Sequence, residues 1–186
     1  MGLRVRGERH SNMNPQNPLD NVRIILSHTS HPGNIGASAR AMKTMGLSSL
    51  VMVNPKHFPD HEADMLAAGA LDVLTEARVC ASLDEALSGT VLAAALSARP
   101  RELSHNAYYA KQAAGILLEQ ARHHPVALVF GGETSGLSNE ETIKCQMLVY
   151  IPADPEYASL NLAAAVQVMC YELRLALENL PARESE

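Results

Sequence analysis

The chain has 186 residues and a formal net charge of −5, and 47% of it is hydrophobic although aromatic residues make up only 4% and tryptophan is absent. This length suffices for one hydrophobic core and is too short for two ordinary domains, while the acidic balance argues against a broadly basic, nucleic-acid-binding surface. Cys80, Cys145 and Cys170 form no C-x-x-C pair, so the cysteines indicate neither a disulfide framework nor a zinc site and favour a reducing cytoplasm.

Residues 1–20 are polar, contain three arginines and lack the apolar core of a signal peptide, which predicts a flexible tail. Short apolar runs then alternate with amphipathic stretches, and the runs show little of the alternation that a half-exposed strand requires. This rhythm predicts an α/β domain over residues 21–180, with helices on both faces of a parallel sheet, followed by a charged tail over residues 181–186. The predicted strands are Val22–Leu26, Leu50–Val53, Val91–Leu96, Val126–Phe130 and Met147–Ile151, and the predicted helices are Asn34–Met45, His61–Leu74, Leu83–Leu87, Ala107–Arg122 and Asn139–Cys145.

A last helix is the clearest element of the sequence. From Leu160 to Leu177, apolar residues recur at spacings of three and four, which places them on one helical face. Ser159 or Asn161 could cap its start, and Pro181 closes it.

Three segments that follow predicted strands carry the residues suited to chemistry, because ligands of open α/β sheets bind at the carboxyl ends of the strands. In the first, His31–Arg40, Asn34 is placed to cap a helix, and Gly36 is expected to leave room for a ligand beside Arg40 on the same face. Lys43 extends this positive face. A capped helix with solvated basic residues explains the same pattern equally well.

The second segment, Phe130–Leu137, places three glycines around Glu133, which suggests a backbone that approaches a ligand closely. It matches neither a P-loop nor G-x-G-x-x-G, and Ser138 with Glu141 predicts a capping box for the next helix. An ordinary strand–turn–helix connection, with Glu133 capping backbone amides, remains the alternative.

The third segment, Ile151–Asn161, runs into the last helix and is stiffened by two prolines. Ser159 and Asn161 offer a hydroxyl and an amide near a helix N-terminus, and at least one of them serves as the cap. Two further arginines, Arg99 and Arg101, follow the third predicted strand and could contact phosphate or simply be surface charge.

Together, the three segments resemble the SpoU branch of the SPOUT methyltransferases. The matching motifs occur in the family's order: Asn34, Gly36 and Arg40; Phe130, Gly131, Glu133, Gly136 and Leu137; and Ile151, Pro152, Ser159, Leu160, Asn161 and Ala165. Within the family, the stretches at 39–47 and 154–163 look most similar to the bacterial tRNA enzymes that methylate cytidine or uridine at position 32 of the anticodon loop.

The resemblance implies a deep trefoil knot in the C-terminal part of the sheet, a rare exception to the rule that protein chains are un-knotted. The knot loops would hold S-adenosylmethionine, largely through backbone groups. The cofactor-binding residues implied in this way are Leu96, Ser97, Ala98, Gly131, Gly132, Ile151, Ser159 and Leu160.

The implied reaction is methyl transfer to a ribose 2′-hydroxyl of tRNA, without a metal. Arg40 would stand at the hydroxyl, and Asn34, Glu133, Ser159 and Asn161 would position the reacting groups, while Arg40, Lys43, Arg99 and Arg101 would contact RNA. The alternatives are the same chemistry at another tRNA or ribosomal RNA site, or a non-catalytic RNA-binding member of the fold.

A cytoplasmic homodimer with an active site shared between subunits is the expected working form. The resembling enzymes pair the first and last helices across a two-fold axis. The apolar sides of these two helices add a second reason, because a chain this small is expected to be unable to bury both on its own.

Overall fold

Seven parallel strands form the centre of the protein, and the computed structural model describes residues 17–98 and 106–182 of the chain. The strands are β1 (Val22–Ser27), β2 (Ser49–Val53), β3 (Arg78–Cys80), β4 (Leu92–Leu96), β5 (Asn106–Tyr109), β6 (Val126–Phe130) and β7 (Met147–Tyr150). They lie in the order β3-β2-β1-β6-β4-β7-β5, and each neighbouring pair is parallel. The predicted α/β class with a parallel sheet is confirmed.

Helices cover both faces of this sheet. They are α1 (Pro32–Thr44), α2 (His61–Ala67), α3 (Leu71–Thr75), α4 (Leu83–Leu87), α5 (Ala110–Ala121), α6 (Asn139–Ile143) and α7 (Leu162–Glu178), with short 3₁₀ turns at Pro18–Asn21 and Ala68–Ala70. Successive strand residues point to opposite faces, and each face has its own hydrophobic core. Ile24 belongs to the larger core, which includes residues of α1, α2, α3, α5 and α7, and Ile25 belongs to the smaller core, which includes residues of α4. No helix in the described ranges is long and apolar enough to cross a membrane.

The two edge strands, β3 and β5, were not expected from the sequence. Both are short and largely exposed, so they lack the continuous apolar run that marked the central strands. The helix predicted over Ala107–Arg122 begins only at Ala110, because the preceding residues pair with β7 and tertiary pairing overrides local propensity. The predicted His61–Leu74 helix is also interrupted, by a left-handed residue at Ala68 with φ of 49°.

Asn34 does not cap α1. The cap residue is His31, and Pro32 occupies the first helical position, where its fixed φ suits the first turn and its missing N–H costs nothing. Asn34 therefore lies inside the first turn, with its side chain free to bond elsewhere. At α7 the cap is Asn161, whose Oδ1 accepts a hydrogen bond of 2.9 Å from the Ala163 amide.

The apolar stripe of α7 is buried within the subunit. Leu162 is 7% exposed and Val166, Met169 and Leu173 are fully buried, in a core that α7 shares with α1 and α5. The expectation was that one chain is too small to bury the apolar sides of both α1 and α7. For α7 it is wrong, because α1 and α5 cover the stripe and leave Leu177 partly buried.

Gly36 allows α1 and α2 to approach backbone to backbone. A Cβ atom at this position would lie 2.1 Å from the Ala63 carbonyl oxygen and 2.9 Å from the Ala67 nitrogen. The expectation that Gly36 leaves room for a ligand is therefore wrong, since α2 fills the space.

We expect Gly36→Ala to destabilise the protein by about 1–3 kcal/mol, because the added methyl group must push α2 away. Gly115→Ala is the matched control: Gly115 lies within α5 and an added Cβ would meet nothing within 4 Å. This control should be neutral or stabilising by up to about 1 kcal/mol, since alanine favours the helix. Urea unfolding of both variants measures the difference, and equal effects would contradict the packing argument.

Candidate active site

A cavity of about 900 Å³ opens at the carboxyl edge of the sheet. Its walls come from the segments that follow β4, β6 and β7, and the start of α1 contributes His31 and Asn34. The three segments singled out from the sequence therefore meet at one site, because the carboxyl ends of parallel strands share one edge of a sheet.

All eight residues expected to bind a cofactor line this cavity. They are Leu96, Ser97, Ala98, Gly131, Gly132, Ile151, Ser159 and Leu160. Asn34, Glu133 and Asn161 line it as well. Sequence reasoning did not identify Ala158 or Leu162, whose small or apolar side chains carry no chemical signal, and it named Ala165 only as a member of the third motif.

Glu133 ties the loop after β6 to the loop after β1. Its Oε2 accepts hydrogen bonds from the Ser30 amide at 2.9 Å and the Ser30 hydroxyl at 2.8 Å. Its Oε1 accepts from the His31 amide and from Asn34 Nδ2, both at 3.1 Å. The suggestion that Glu133 caps backbone amides is confirmed, and the carboxylate also binds a side chain of α1.

The same hydrogen-bond chain reaches the third motif. Asn161 Nδ2 donates to Asn34 Oδ1 at 3.2 Å, while Asn161 Oδ1 caps α7. Asn34 thus bridges Glu133 and Asn161, so that one residue of each motif belongs to a single network at the rim of the cavity.

These contacts fix the ionisation of Glu133. Partial burial disfavours the carboxylate, but the hydrogen bonds from Ser30, Asn34 and His31 outweigh it and lower the pKa of Glu133 to about 2. A carboxylate with this pKa and four donors already in place is a poor proton acceptor, so its part in the site is to position its neighbours.

The glycines of the second motif fold the loop back on itself. A Cβ atom at Gly131 would lie 2.2 Å from the Gly136 carbonyl carbon, and the Gly136 amide donates to the Gly132 carbonyl at 3.0 Å. Gly136 itself has φ of +65°, a conformation that favours glycine. The predicted capping box of Ser138 and Glu141 follows at the start of α6 and is confirmed.

Arg40 lies away from the cavity that its own chain forms. It follows Asn34 by six residues, which turns it about 120° around α1, and its exposed side chain makes no hydrogen bond or ion pair with the described residues. Lys43 is exposed too, but its Nζ donates to Asp72 at 2.8 Å and to the Gly69 carbonyl at 3.1 Å. Arg99 and Arg101 fall outside the described residues.

We expect Glu133→Gln to lower stability at neutral pH, because the amide group brings donors to a place where four donors already converge. A carboxylate with a lowered pKa stabilises the folded state above its ordinary pKa, near 4.5, and loses this contribution as pH falls toward 2. The difference in melting temperature between wild type and Glu133→Gln should therefore be largest near pH 7 and shrink between about pH 4.5 and 2.

Glu76→Gln, which removes one exposed negative charge without breaking a network, is the matched control. A difference for Glu133→Gln that stays constant down to pH 2 would contradict the assigned role of its charge.

Comparison with known proteins places the site in a family. The SpoU rRNA methylase family profile matches residues 21–171. The tRNA (cytidine/uridine-2′-O-)-methyltransferase TrmJ of Pectobacterium atrosepticum is 52% identical over 169 residues, which cover 90% of this chain and 70% of that protein. The tRNA (cytidine/uridine/adenosine-2′-O-)-methyltransferase TrmJ of Pseudomonas aeruginosa is 52% identical over 159 residues, covering 85% of this chain and 62% of that protein.

Solved structures agree with these relatives. A probable methylase family protein from Haemophilus influenzae superposes with a TM-score of 0.82 at 46% identity, covering 87% of this chain and 68% of that one. The crystal structure of TrmJ from Z. mobilis superposes with a TM-score of 0.79 at 35% identity, covering 82% of this chain and 67% of that one. From the family match and these likenesses together, the chain belongs to the SpoU methylase family.

Proposed function

We propose that this protein transfers a methyl group from S-adenosylmethionine to a ribose 2′-hydroxyl of tRNA. The observation that carries the proposal is the single network of Glu133, Asn34 and Asn161 at the rim of a cavity built from three loops. The TrmJ relatives that are about 50% identical are named as tRNA 2′-O-methyltransferases. A tRNA substrate also favours a cytoplasmic protein.

The cavity suits S-adenosylmethionine in size and lining. Its volume of about 900 Å³ lies within the range of small-molecule sites, and half of the described residues that line it are Gly, Ala, Ser or Thr. Leu96, Ser97, Ala98, Gly131, Gly132, Ile151, Ser159 and Leu160 would hold the cofactor. A solved SpoU methyltransferase, AviRb, is described in complex with this cofactor, and its likeness to this chain at 23% identity supports the shared fold alone.

When bound, S-adenosylmethionine supplies a methyl group that is already activated. The protein must then align the hydroxyl and ease the loss of its proton. A guanidinium is not a credible base, so we assign to Arg40 the orientation of the hydroxyl and the stabilisation of the developing alkoxide, with a substrate phosphate as the candidate proton acceptor. Asn34, Glu133, Ser159 and Asn161 position the reacting groups, and no metal takes part.

The finer target that we propose is cytidine or uridine at position 32 of the anticodon loop. The alternatives are another tRNA position, ribosomal RNA, and a non-catalytic RNA-binding role. Contacts from Arg40, Lys43, Arg99 and Arg101 to RNA belong to the same proposal, and for Lys43 a phosphate would have to compete with Asp72.

We also propose that the C-terminal part of the sheet is knotted. β4 and β5 are consecutive strands, yet β7, which comes later in the chain, lies between them. The chain then continues into α7, which packs on α1 and on α5. The proposal rests on this strand order together with the resemblance to the SPOUT methyltransferases, and a crystal structure of the protein tests it.

The position of Arg40 supports a homodimer with a shared active site. Arg40 is exposed, does not line the cavity of its own subunit and is unpartnered among the described residues. In a two-fold dimer formed by α1 and α7, Arg40 of one subunit would face the cavity of the other.

The function is tested by incubating the protein with tritiated S-adenosylmethionine and either bulk tRNA or ribosomal RNA, followed by mapping of the labelled nucleotide. We expect label in tRNA at the ribose of position 32. Label in ribosomal RNA alone would support the alternative substrate, and no label in either RNA, from protein that binds the cofactor, would favour the non-catalytic alternative.

A mixture of two inactive variants tests the shared site. Arg40→Ala removes the guanidinium. In Gly131→Ala the added Cβ would clash with the Gly136 backbone and displace the loop that lines the cavity, so this variant should not bind the cofactor. Each heterodimer contains one intact cavity facing one intact Arg40. A fully exchanged equimolar mixture, in which about half of the dimers are heterodimers, should therefore recover about a quarter of the wild-type activity.

Calorimetry first confirms that Gly131→Ala has lost S-adenosylmethionine while Arg40→Ala retains it, and circular dichroism confirms that both are folded. If Arg40 acts within its own subunit, every site in the mixture is defective, and inactivity after verified subunit exchange would overturn the shared-site proposal.

A further inference from the structure

A second cavity, of about 570 Å³, lies beside the first. The two share Ile151, Ser159 and Leu160, so the loop after β7 forms a common wall. The remaining sides of the second cavity come from the end of β5, the start of α5 and the flank of α7 that carries Val168 and Glu172.

Two exposed tyrosines, Tyr109 and Tyr157, line this cavity. Their side chains are 65% and 85% exposed in a chain with only seven Phe and Tyr residues and no tryptophan. Such exposure of large aromatic side chains is unfavourable in water unless a partner covers them. Two of these few residues therefore stand at one opening that adjoins the candidate cofactor site.

The backbone holds both tyrosines in place. Tyr109 ends β5 opposite Tyr150 of β7 and immediately precedes α5. The Tyr157 amide donates to the Asp154 carbonyl at 3.0 Å, which closes a turn, and Asp154 Oδ1 accepts a second bond from the Glu156 amide at 2.8 Å. With Pro155 in that turn, the base of the Tyr157 side chain is fixed while its ring faces outward.

The charge of the cavity favours a neutral occupant. Among the residues that the structure describes, Lys111 and Glu172 are the charged ones that line it, and their formal charges cancel. A phosphate or another anion would therefore bind here with little electrostatic stabilisation. A flat aromatic group can stack on the tyrosine rings whichever hydrogen-bonding groups lie on its edge.

We infer that the second cavity receives the base of the nucleotide whose ribose is methylated, with Tyr157 and Tyr109 as its stacking surface. This inference rests on the proposed function. The base is bonded to the sugar carbon next to the one that carries the 2′-hydroxyl, so it must lie close to the methyl-transfer site. The shared wall places the second cavity directly beside the candidate cofactor site.

Stacking also predicts that the site accepts more than one type of base. Every base presents an aromatic face, so a stacking site discriminates weakly. The two TrmJ relatives are named for cytidine and uridine, and one of them also for adenosine. We therefore expect the tyrosines to strengthen binding of C- and U-containing substrates by similar factors.

The test uses Tyr157→Ala and Tyr109→Ala in the full chain, with steady-state methyl transfer to tRNA that carries either C or U at the mapped position. Each variant should lower kcat/KM roughly 5- to 150-fold, the range expected for the loss of one stacked base. The loss should be similar for C and U, and the affinity for S-adenosylmethionine measured by calorimetry should stay within about twofold of wild type.

Tyr157→Phe keeps the ring and should restore most of the activity. Val79→Ala, which truncates a 54% exposed apolar side chain on β3 at the opposite edge of the sheet, should change nothing. Wild-type protein that methylates no RNA would refute the proposed function itself, whereas active wild type with unchanged kinetics in both alanine variants would overturn the inference alone. Light scattering measures whether the alanine variants still form the dimer. Loss of the dimer would show that a second copy of the chain covers the tyrosines, and this result would also overturn the inference.

Discussion

The carboxylate of Glu133 holds the site together. It accepts hydrogen bonds from the Ser30 and His31 amides and from the Asn34 side chain, and Asn34 in turn accepts a hydrogen bond from Asn161. Without that charge, the loop after β1 would lose the bonds that tie Ser30 and His31 to the loop after β6, and Asn34 would lose the acceptor that holds its amide group while its oxygen binds the cap residue of α7. The arrangement explains why a carboxylate stands among glycines: the backbone must come close, and one strong acceptor must satisfy several converging donors.

The sheet makes this convergence possible. β1, β6, β4 and β7 are neighbours, and in a parallel sheet all their carboxyl ends lie at one edge. Segments separated by about a hundred residues therefore meet without long connections. The insertion of β7 between β4 and β5 adds a second consequence, since it brings the loop after β7 between the two cavities, where a single wall serves both the proposed cofactor site and the proposed base site.

Local sequence predicted the central elements well and the edges poorly. The bounds of β6 and α4 agree with the prediction because an apolar run and a capped amphipathic turn are local signals. β3 and β5 were missed because an edge strand exposes one side and depends on its neighbour for pairing. The cofactor-lining residues were identified through motif spacing, yet Gly36 was misinterpreted, since its close approach to Ala63 joins two helices and has no signature in the sequence around it.

The sequence by itself determined the class of fold, the buried strands, the capping box at Ser138 and the three motifs that belong to one site. These depend on periodicity, turn chemistry and residue type, which act over a few positions. Only the tertiary structure decided that Asn34 bonds to Glu133 and Asn161 instead of capping its own helix, that the stripe of α7 is covered within the subunit, and that Arg40 turns away from its own cavity. Each of these depends on contacts between residues far apart in the chain, and such contacts exist only once the sheet and its helices have packed.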